Sequence, residues 1–328
     1  MSSESTNYAG LDTSSIAPPQ PSGLRRIWTQ IMKVLDDARL VPVLLIAPVL
    51  IFFLVWNVVP TLWMIGLSFY KYQITLPDTL SFIGVENYVD IFTDRSVWRS
   101  MSRTFIWVGV GVSIQTVLGM LLGYLFWGSK DMPGRRIALT MIFTPMIITP
   151  VASGLFWRLI YEPTFGIINW FTKSAFNTEI LFLQDTTIAF WSVIFVDIWM
   201  WTPFMMLMTL AALGSVPKAE LEAAEIDRLS WIDRFRFVLL PNGKFILMLG
   251  ILLRTIDSFK TLDLVYLMAV PGSSTELIAV ALREEAFEAL DVGWSSALAI
   301  ILLLTAIAFT SIYLYILNLN SQQQEVVQ

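Results

Sequence analysis

Six long apolar stretches, separated by polar segments, dominate the pattern of hydrophobic and polar positions along this chain. They cover approximately residues 41–70, 105–127, 137–159, 187–213, 245–270 and 297–319. A helix needs about 20 apolar residues to cross the hydrocarbon core of a bilayer, and each stretch is at least that long. The pattern therefore predicts an all-α, polytopic membrane protein with six transmembrane helices.

The polar segments predict two tails and several short helices between the spans. Apolar residues at helical spacing from Trp28 to Leu35 predict an amphipathic helix on the inner membrane surface, although a plain polar lead-in fits them equally well. Residues 85–100 and 275–290 repeat that spacing and predict two short helices on the outer surface. The predicted domains are a partly disordered cytoplasmic tail over residues 1–38, a transmembrane domain over 39–320 and a cytoplasmic tail over 321–328.

The composition supports a membrane protein and excludes several kinds of chemistry. Of the 328 residues, 56% are hydrophobic and only 14% are charged, whereas about a quarter of the residues in soluble domains are charged. The net charge of -5 argues against a nucleic-acid partner. The chain contains neither Cys nor His, which excludes disulfides, thiolate nucleophiles, histidine acid–base catalysis and the common zinc and iron sites. We therefore expect no metal site and no catalytic residues.

The distribution of Lys and Arg predicts the orientation in the membrane. An even number of spans puts both termini on one side, and cytoplasmic segments carry an excess of basic residues. With the termini inside, the inner segments hold twelve of the 21 basic residues and the outer segments hold six. This bias predicts that both termini and residues 217–243 face the cytoplasm, while residues 71–101 and 271–295 face outward.

The segment "GYLFWGSK", from Gly123 to Lys130, has the residue types of a phosphate-binding loop without the context of one. In that motif the Lys precedes the Ser or Thr and the loop follows a strand. Here the Ser precedes the Lys, and the segment ends an apolar stretch. We therefore expect no ATP site in this chain. Gly119 and Gly123 instead predict a close contact between two helices in the membrane.

The fifth apolar stretch carries charges in its second half. Arg254, Asp257, Lys260 and Asp263 alternate in sign at three-residue spacing. Charges inside a bilayer are costly and usually serve a function. Two interpretations remain open: the residues form structural i, i+3 ion pairs, or they line a water-filled path and contact a substrate.

The fourth stretch contains "DIWMWTPFMM", in which Asp197, Met200, Trp201 and Phe204 share one helix face. Aromatic rings and a carboxylate together suit a sugar, because rings pack against its C–H faces and a carboxylate accepts hydrogen bonds from its hydroxyls. An ordinary helix–helix contact with a buried acid, near a kink at Pro203, explains the same pattern equally well.

Residues 217–243 form a charged segment between two of the most apolar stretches. "KAELEAAEIDRL" is rich in strong helix formers, and "SWIDRFRFVLLP" follows with Ser230 as a helix cap. The pattern predicts two short cytoplasmic helices, with a turn near Leu229 and Ser230 and an end at Pro241. A protruding helix pair offers a surface to which a soluble partner can bind.

The same segment carries a family resemblance. "EAAEIDRLSWIDRFRFVLLP" resembles the signature loop of the membrane permease subunits of binding-protein-dependent ABC importers, and it departs from that signature at Arg228, where the family usually has Gly. "GVENYVDIFTD", "LRTIDSFKTLDLVYL" and "EEAFEALDVGWSSALA" extend the resemblance to the carbohydrate-uptake branch, in particular to the larger permease subunits of maltose and glycerol-phosphate importers. The residues that match the signature are Glu222, Ala223, Ala224, Asp227, Phe235, Leu240 and Pro241.

The resemblance implies a bacterial inner-membrane permease that forms half of a translocation path. The implied partners are a second permease subunit, two ATPase subunits, a periplasmic solute-binding protein and membrane lipid, with ATP and Mg bound by the ATPase subunits and no cofactor in this chain. By position it implies substrate contacts from Asp197, Met200, Trp201, Phe204, Arg254, Asp257 and Ser258. It implies ATPase coupling through Glu222, Ala223, Ala224, Asp227 and Arg228.

Two other function classes compete with this interpretation. An ion-coupled secondary transporter acting alone would use the charged fifth stretch as a relay and would not need ATP. An intramembrane enzyme would need a nucleophile–base pair or a metal set, and the sequence offers neither. The charge of the solute and the identity of the partner permease do not follow from the sequence.

Overall fold

The computed structural model describes residues 40–128, 133–268 and 275–325. The predicted amphipathic helix between Trp28 and Leu35 lies outside the described residues. Internal contacts divide the chain into two units, and the boundary between them falls between Trp63 and Met64.

The first unit contains the beginning of the first span. Helix α1 (Leu40–Phe53) leads into a π-helical turn (Leu54–Val58) and helix α2 (Val59–Leu67), and the apolar stretch Val41–Leu67 is long enough to cross a membrane. In the π turn, the Val59 amide donates a hydrogen bond to the Leu54 carbonyl. Pro60 follows and has no amide hydrogen, so the wider turn lets the helix continue past it.

The second unit is almost entirely helical. In chain order it contains strands β1 (Tyr70–Gln73) and β2 (Leu76–Phe82) and helices α3 (Glu86–Thr93), α4 (Arg95–Gly128), α5 (Arg135–Ile147), α6 (Pro150–Ile160), α7 (Ile167–Phe176), α8 (Ile188–Gly214), α9 (Lys218–Ile226), α10 (Trp231–Arg234), α11 (Leu240–Phe259), α12 (Asp263–Met268), α13 (Ile278–Phe287) and α14 (Val292–Glu325), with a π-helical turn (Phe235–Leu239) between α10 and α11. The two strands form an antiparallel hairpin in which Tyr70 lies opposite Phe82.

The number of apolar helices confirms the predicted polytopic all-α fold. Within the described ranges of the chain, five helices are long and apolar enough to cross a membrane, and there are six spans if α5 and α6 form one bent span. The small hairpin is an addition that the apolar pattern did not predict.

The third predicted span is not one helix. Helices α5 and α6 meet at an angle of 102°, with a break at Ile148 and Thr149. Pro150 causes the break, because a proline disfavours helical backbone in the residue before it and cannot donate to the preceding turn. Thr149 is extended, and its hydroxyl caps α6 by accepting a hydrogen bond from the Ala152 amide at 3.3 Å.

The fifth span differs from its predicted bounds at both ends. The prediction that a helix ends at Pro241 is wrong, because helical backbone continues from Trp231 to Phe259. The π turn before Pro241 provides the wider geometry, and the Leu240 amide donates to the Phe235 carbonyl. The helix then ends at Phe259, well before the predicted residue 270, and α12 is a separate short helix.

Aspartate caps set two other boundaries that the hydrophobic pattern did not predict. The helix expected over residues 85–100 is divided, because Asp94 is extended and its carboxylate accepts a 2.7 Å hydrogen bond from the Ser96 amide at the start of α4. Asp291 caps α14 in the same way through the Trp294 amide at 3.0 Å. Helix α14 continues to Glu325, so most of the predicted C-terminal tail is helical; residues 326–328 lie outside the described part.

Glycines bring α4 and α8 into close contact in the centre of the second unit. A Cβ atom on Gly119 would lie 2.5 Å from Cβ of Met205, and one on Gly123 would lie 2.6 Å from Cβ of Thr209. This confirms the close helix contact predicted from Gly119 and Gly123. Helix α11 also packs against α8, since a Cβ on Gly250 would lie 2.8 Å from Cγ of Met208. These contacts place polar residues of three helices close together in the interior.

Candidate functional site

An ion pair joins α8 and α11 in the interior. The Arg254 guanidinium donates from Nη2 to Oδ2 of Asp197 at 2.5 Å, and both side chains are buried. Gln115 of α4 completes the group, because its amide nitrogen donates to Asp197 Oδ2 at 2.8 Å and its amide oxygen accepts from Arg254 Nε at 2.8 Å. Three helices therefore share one polar network that pairs two buried charges. Both hydrogen bonds to the Asp197 carboxylate go to Oδ2, and its buried Oδ1 has no hydrogen-bond partner.

The charged ladder of the fifth span starts from this network and leads outward from it. Asp257 lies 3.4 Å from Arg254 Nη1, and Lys260 lies 3.9 Å from the other oxygen of Asp257. Both contacts are i, i+3 pairs on α11, as the structural interpretation predicts. Asp263 does not continue the ladder, because α11 has ended and this residue begins α12.

A cavity of about 340 Å³ opens beside the ladder. One side is formed by the break between α5 and α6, and another by the segment that connects α11 to α12. Met200 and Trp201 of α8 supply an apolar wall. The lining residues are Met146, Ile148, Pro150, Met200, Trp201, Asp257, Lys260, Thr261, Leu262, Asp263 and Leu264. Two broken helices therefore leave space beside charged side chains, an arrangement that transporters use for solute sites.

The seven predicted substrate residues lie in one region but play different structural parts. Met200, Trp201 and Asp257 line the cavity, and the Trp201 ring lies over the Arg254 guanidinium at 4.9 Å. Asp197 and Arg254 lie behind this wall and are fully buried. The Phe204 ring packs edge-on against Trp201 at 6.2 Å, and Ser258 is buried. The residues Asp197, Phe204, Arg254 and Ser258 are therefore not among those that line the cavity.

Sequence reasoning missed Gln115 and most of the cavity wall. A glutamine in an apolar stretch is a detectable signal, since a buried amide needs partners, but its partners lie 82 and 139 residues away. The wall residues Ile148 and Pro150 enter the site only because the third span breaks there. The Thr149–Pro150 pair was the signal in the sequence that could have located the break.

The predicted coupling segment forms a helix pair with a tight turn. Helix α9 ends in a Schellman motif, in which the Leu229 amide donates to the Ala224 carbonyl at 3.1 Å and the Arg228 amide to the Glu225 carbonyl at 3.1 Å. Arg228 has a φ of 50°, which is the left-handed conformation that the motif requires. The turn that the family makes with Gly is therefore made here with Arg.

The second helix of the pair is anchored to α4 while the turn is exposed. Ser230 caps α10 by accepting from the Asp233 amide at 3.2 Å, as predicted. The Tyr124 hydroxyl of α4 donates to the Trp231 carbonyl at 3.0 Å, and their rings pack edge to face at 5.2 Å. Ile226 is 81% exposed and Ile232 is 64% exposed. The pair therefore presents exposed apolar side chains on either side of its turn.

The five predicted coupling residues lie together on α9 and its turn. Glu222, Ala223, Asp227 and Arg228 are exposed, whereas Ala224 is buried. The Ala224 carbonyl accepts the hydrogen bond from Leu229 that closes the Schellman motif. The segment "GYLFWGSK" is helical from Gly123 to Gly128, so this part is not a loop that follows a strand; residues 129–132 are outside the described ranges.

Comparisons with known proteins agree with this architecture. The trehalose/maltose transport system permease protein MalF of Thermococcus litoralis is 29% identical over 273 residues, which cover 83% of this chain and 91% of that protein. The sulfoquinovosyl glycerol transport system permease protein SmoG of Agrobacterium fabrum is 28% identical over 89% of this chain and 94% of its own length. The probable ABC transporter permease protein YesP of Bacillus subtilis is 30% identical over 79% and 84%.

A solved structure shares the fold. A chain of a bacterial ABC transporter involved in the import of the acidic polysaccharide alginate superposes with a TM-score of 0.75 at 19% identity, covering 89% of this chain and 98% of that one. The model of the family described as "Binding-protein-dependent transport system inner membrane component" matches residues 96–320. These findings favour the importer interpretation over a secondary transporter or an intramembrane enzyme. This chain belongs to the family of binding-protein-dependent transport system inner membrane components, and it is a permease subunit of an ABC importer.

Proposed function

We propose that this permease forms half of the translocation path for a carbohydrate or a sugar derivative, and that the cavity beside Trp201 is part of that path. The main support for this proposal is the cavity, because it combines an aromatic ring with carboxylates next to two helix breaks. Similarity to the trehalose/maltose and sulfoquinovosyl glycerol permeases supports a sugar as the solute.

The lining suits the two kinds of surface that a sugar ring presents. Trp201 and Met200 offer an apolar wall for its C–H faces. Asp257 and Asp263 accept hydrogen bonds from hydroxyl groups, and Lys260 donates to a ring or hydroxyl oxygen. Few polar groups on a mostly apolar wall fix the orientation of a bound ligand.

The exposed turn between α9 and α10 is proposed to transmit ATP hydrolysis to the path. Glu222, Asp227 and Arg228 offer charges, and Ile226 offers a large exposed apolar side chain for a pocket on a partner. ATP and Mg are proposed to bind to two ATPase subunits and not to this chain.

The remaining parts of the proposal concern assembly and orientation. A second permease completes the path, and a periplasmic binding protein delivers the solute to the face that carries the hairpin. The bias of basic residues supports an inner-membrane orientation with both termini and the coupling turn in the cytoplasm. The buried Asp197–Arg254 ion pair supports this function over an ion-coupled relay, because the two charges are paired with each other.

Reconstituted vesicles that contain the whole transporter test the site. Replacing Trp201 by Ala should lower solute-dependent uptake several-fold through a higher apparent KM, since the apolar wall is lost. Trp170→Ala, on an exposed part of α7, is the matched control and should retain uptake. Wild-type uptake by Trp201→Ala at all solute concentrations would show that the cavity is not on the path.

The coupling turn is tested in the same vesicles. Glu222→Lys should leave the subunit inserted and assembled but lower solute transport per ATP hydrolysed, because the charge at the contact is reversed. Glu222→Asp keeps the charge and should remain closer to wild type. Unchanged coupling in Glu222→Lys would exclude this residue from the ATPase contact.

A further inference from the structure

The relatives of this permease act on solutes of different charge, and the cavity indicates which class this chain accepts. Trehalose and maltose are uncharged, whereas sulfoquinovosyl glycerol carries a sulfonate and alginate is an acidic polysaccharide. We infer that the cavity admits uncharged, hydroxylated solutes and disfavours anionic sugar derivatives. The inference rests on the proposed function, since it specifies the solute class of that same cavity.

Arg254 is the residue that an anionic solute would be expected to use, but its guanidinium is already occupied. Nη2 donates to Asp197, Nε donates to Gln115 and Nη1 faces Asp257. The Trp201 ring covers it at 4.9 Å, and the side chain has no exposed surface. Arg recognises a sulfonate or a carboxylate through two parallel N–H groups on a free edge of the guanidinium. In the described contacts, all three nitrogens of Arg254 already face a partner.

The charges that do reach the cavity are dominated by carboxylates. Asp257 keeps 44% of its side chain exposed, and Asp263 is exposed at the start of α12. Lys260 is the cation of this wall, and its ammonium lies 3.9 Å from Asp257. The lining residues contributed by α5 and α6 are uncharged.

The balance of these charges determines the preference. Two carboxylates and one ammonium line the cavity, and the pair behind the wall is neutral, so this chain contributes a net charge of -1 to the site. An anion that approaches Lys260 would lie close to Asp257, 3.9 Å from the ammonium, and would face Asp263 on the same wall, so two like charges would oppose its binding. A hydroxyl group meets no such penalty, because it donates to a carboxylate and accepts from the ammonium.

Saturation-transfer NMR on the purified transporter, without binding protein, measures this preference directly. The probes are maltose and trehalose on one side and sulfoquinovosyl glycerol and a diuronate of alginate on the other. We expect the anionic probes to bind at least about tenfold more weakly than the neutral ones. Asp257→Asn should narrow that ratio several-fold, because it removes the negative charge beside Lys260. Asp263→Asn leaves the buried pair untouched and should narrow it too, whereas Asp90→Asn on α3 is the control.

The outcomes separate this inference from the proposed function. Anionic probes that bind as tightly as neutral ones, and that lose binding in Trp201→Ala, would overturn the charge preference and leave the carbohydrate path in place. A ratio unchanged by both Asp257→Asn and Asp263→Asn would overturn the preference as well. Failure of every probe to bind, together with normal uptake by Trp201→Ala, would overturn the proposed function itself.

Discussion

At the scale of single residues, the chain keeps two features that cost stability unless their surroundings compensate them. One is Arg228, which adopts left-handed backbone at the turn of the proposed coupling pair. The other is Arg254, whose charge is buried against Asp197. A substitution at Arg228 can remove the backbone strain, and a substitution at Arg254 can remove the counter-charge of Asp197.

Replacing Arg228 by Gly should stabilise the turn. Left-handed backbone costs an L-residue roughly 1–2 kcal/mol, and Gly avoids this cost but loses part of the gain to its flexible unfolded state. We expect a net gain of up to about 1 kcal/mol, measured as a higher midpoint of thermal unfolding. Arg228→Ala removes the same charge and keeps the strained backbone, so it should show no gain. Equal midpoints for the Gly and Ala variants would contradict a backbone origin.

Replacing Arg254 by Met should destabilise the helix core. The substitution leaves the Asp197 carboxylate buried without its counter-charge, which costs about 3–5 kcal/mol in comparable sites. The double variant Asp197→Leu with Arg254→Met removes both charges and should recover most of the loss. Thermal unfolding of the two single variants and the double variant measures the coupling. Additive losses in the double variant would mean that the pair is not energetically coupled.

At the scale of elements, the contact between α4 and α8 depends on glycines at the crossing. Replacing Gly119 by Ala should push these helices apart, because the new methyl carbon would lie 2.5 Å from Cβ of Met205 and 2.7 Å from its backbone carbonyl carbon. Overpacking of this kind costs about 1–3 kcal/mol. Gly109 lies on the same helix with nothing within 4 Å. Gly109→Ala should therefore be neutral or stabilising by about 1 kcal/mol. Equal effects of the two substitutions on thermal stability would argue against a close crossing.

At the scale of the whole molecule, the proposed orientation can be tested by single cysteines, because the native chain has none. Ile226 and Phe287 are 81% and 73% exposed on opposite predicted faces. In sealed inside-out vesicles, a membrane-impermeant thiol reagent should label Ile226→Cys and leave Phe287→Cys unlabelled, and intact spheroplasts should give the reverse. The native chain is the unlabelled control. The opposite pattern would invert the proposed topology.

Hydrophobic length and helical spacing are local properties, and they predicted the all-α fold, most of the spans and the charged helix pair. The caps at Ser230 and the turn after α9 followed from residues within a few positions of each other. The same local reasoning found the face with Asp197 and Trp201, but it left open whether that face was a cavity wall or a packing surface.

The sequence by itself determined which segments are mostly helical and which are apolar enough to cross a membrane, because both properties depend on neighbours along the chain. Only the tertiary structure decided that Arg254 is paired with Asp197 and hydrogen-bonded to Gln115, since these residues come from three helices far apart in sequence. It also decided that the third span bends by 102° at Pro150 and so opens the cavity. A buried charge is stable only where its partners converge in space, and a broken helix persists only where other elements pack around it, so neither could be determined from local spacing.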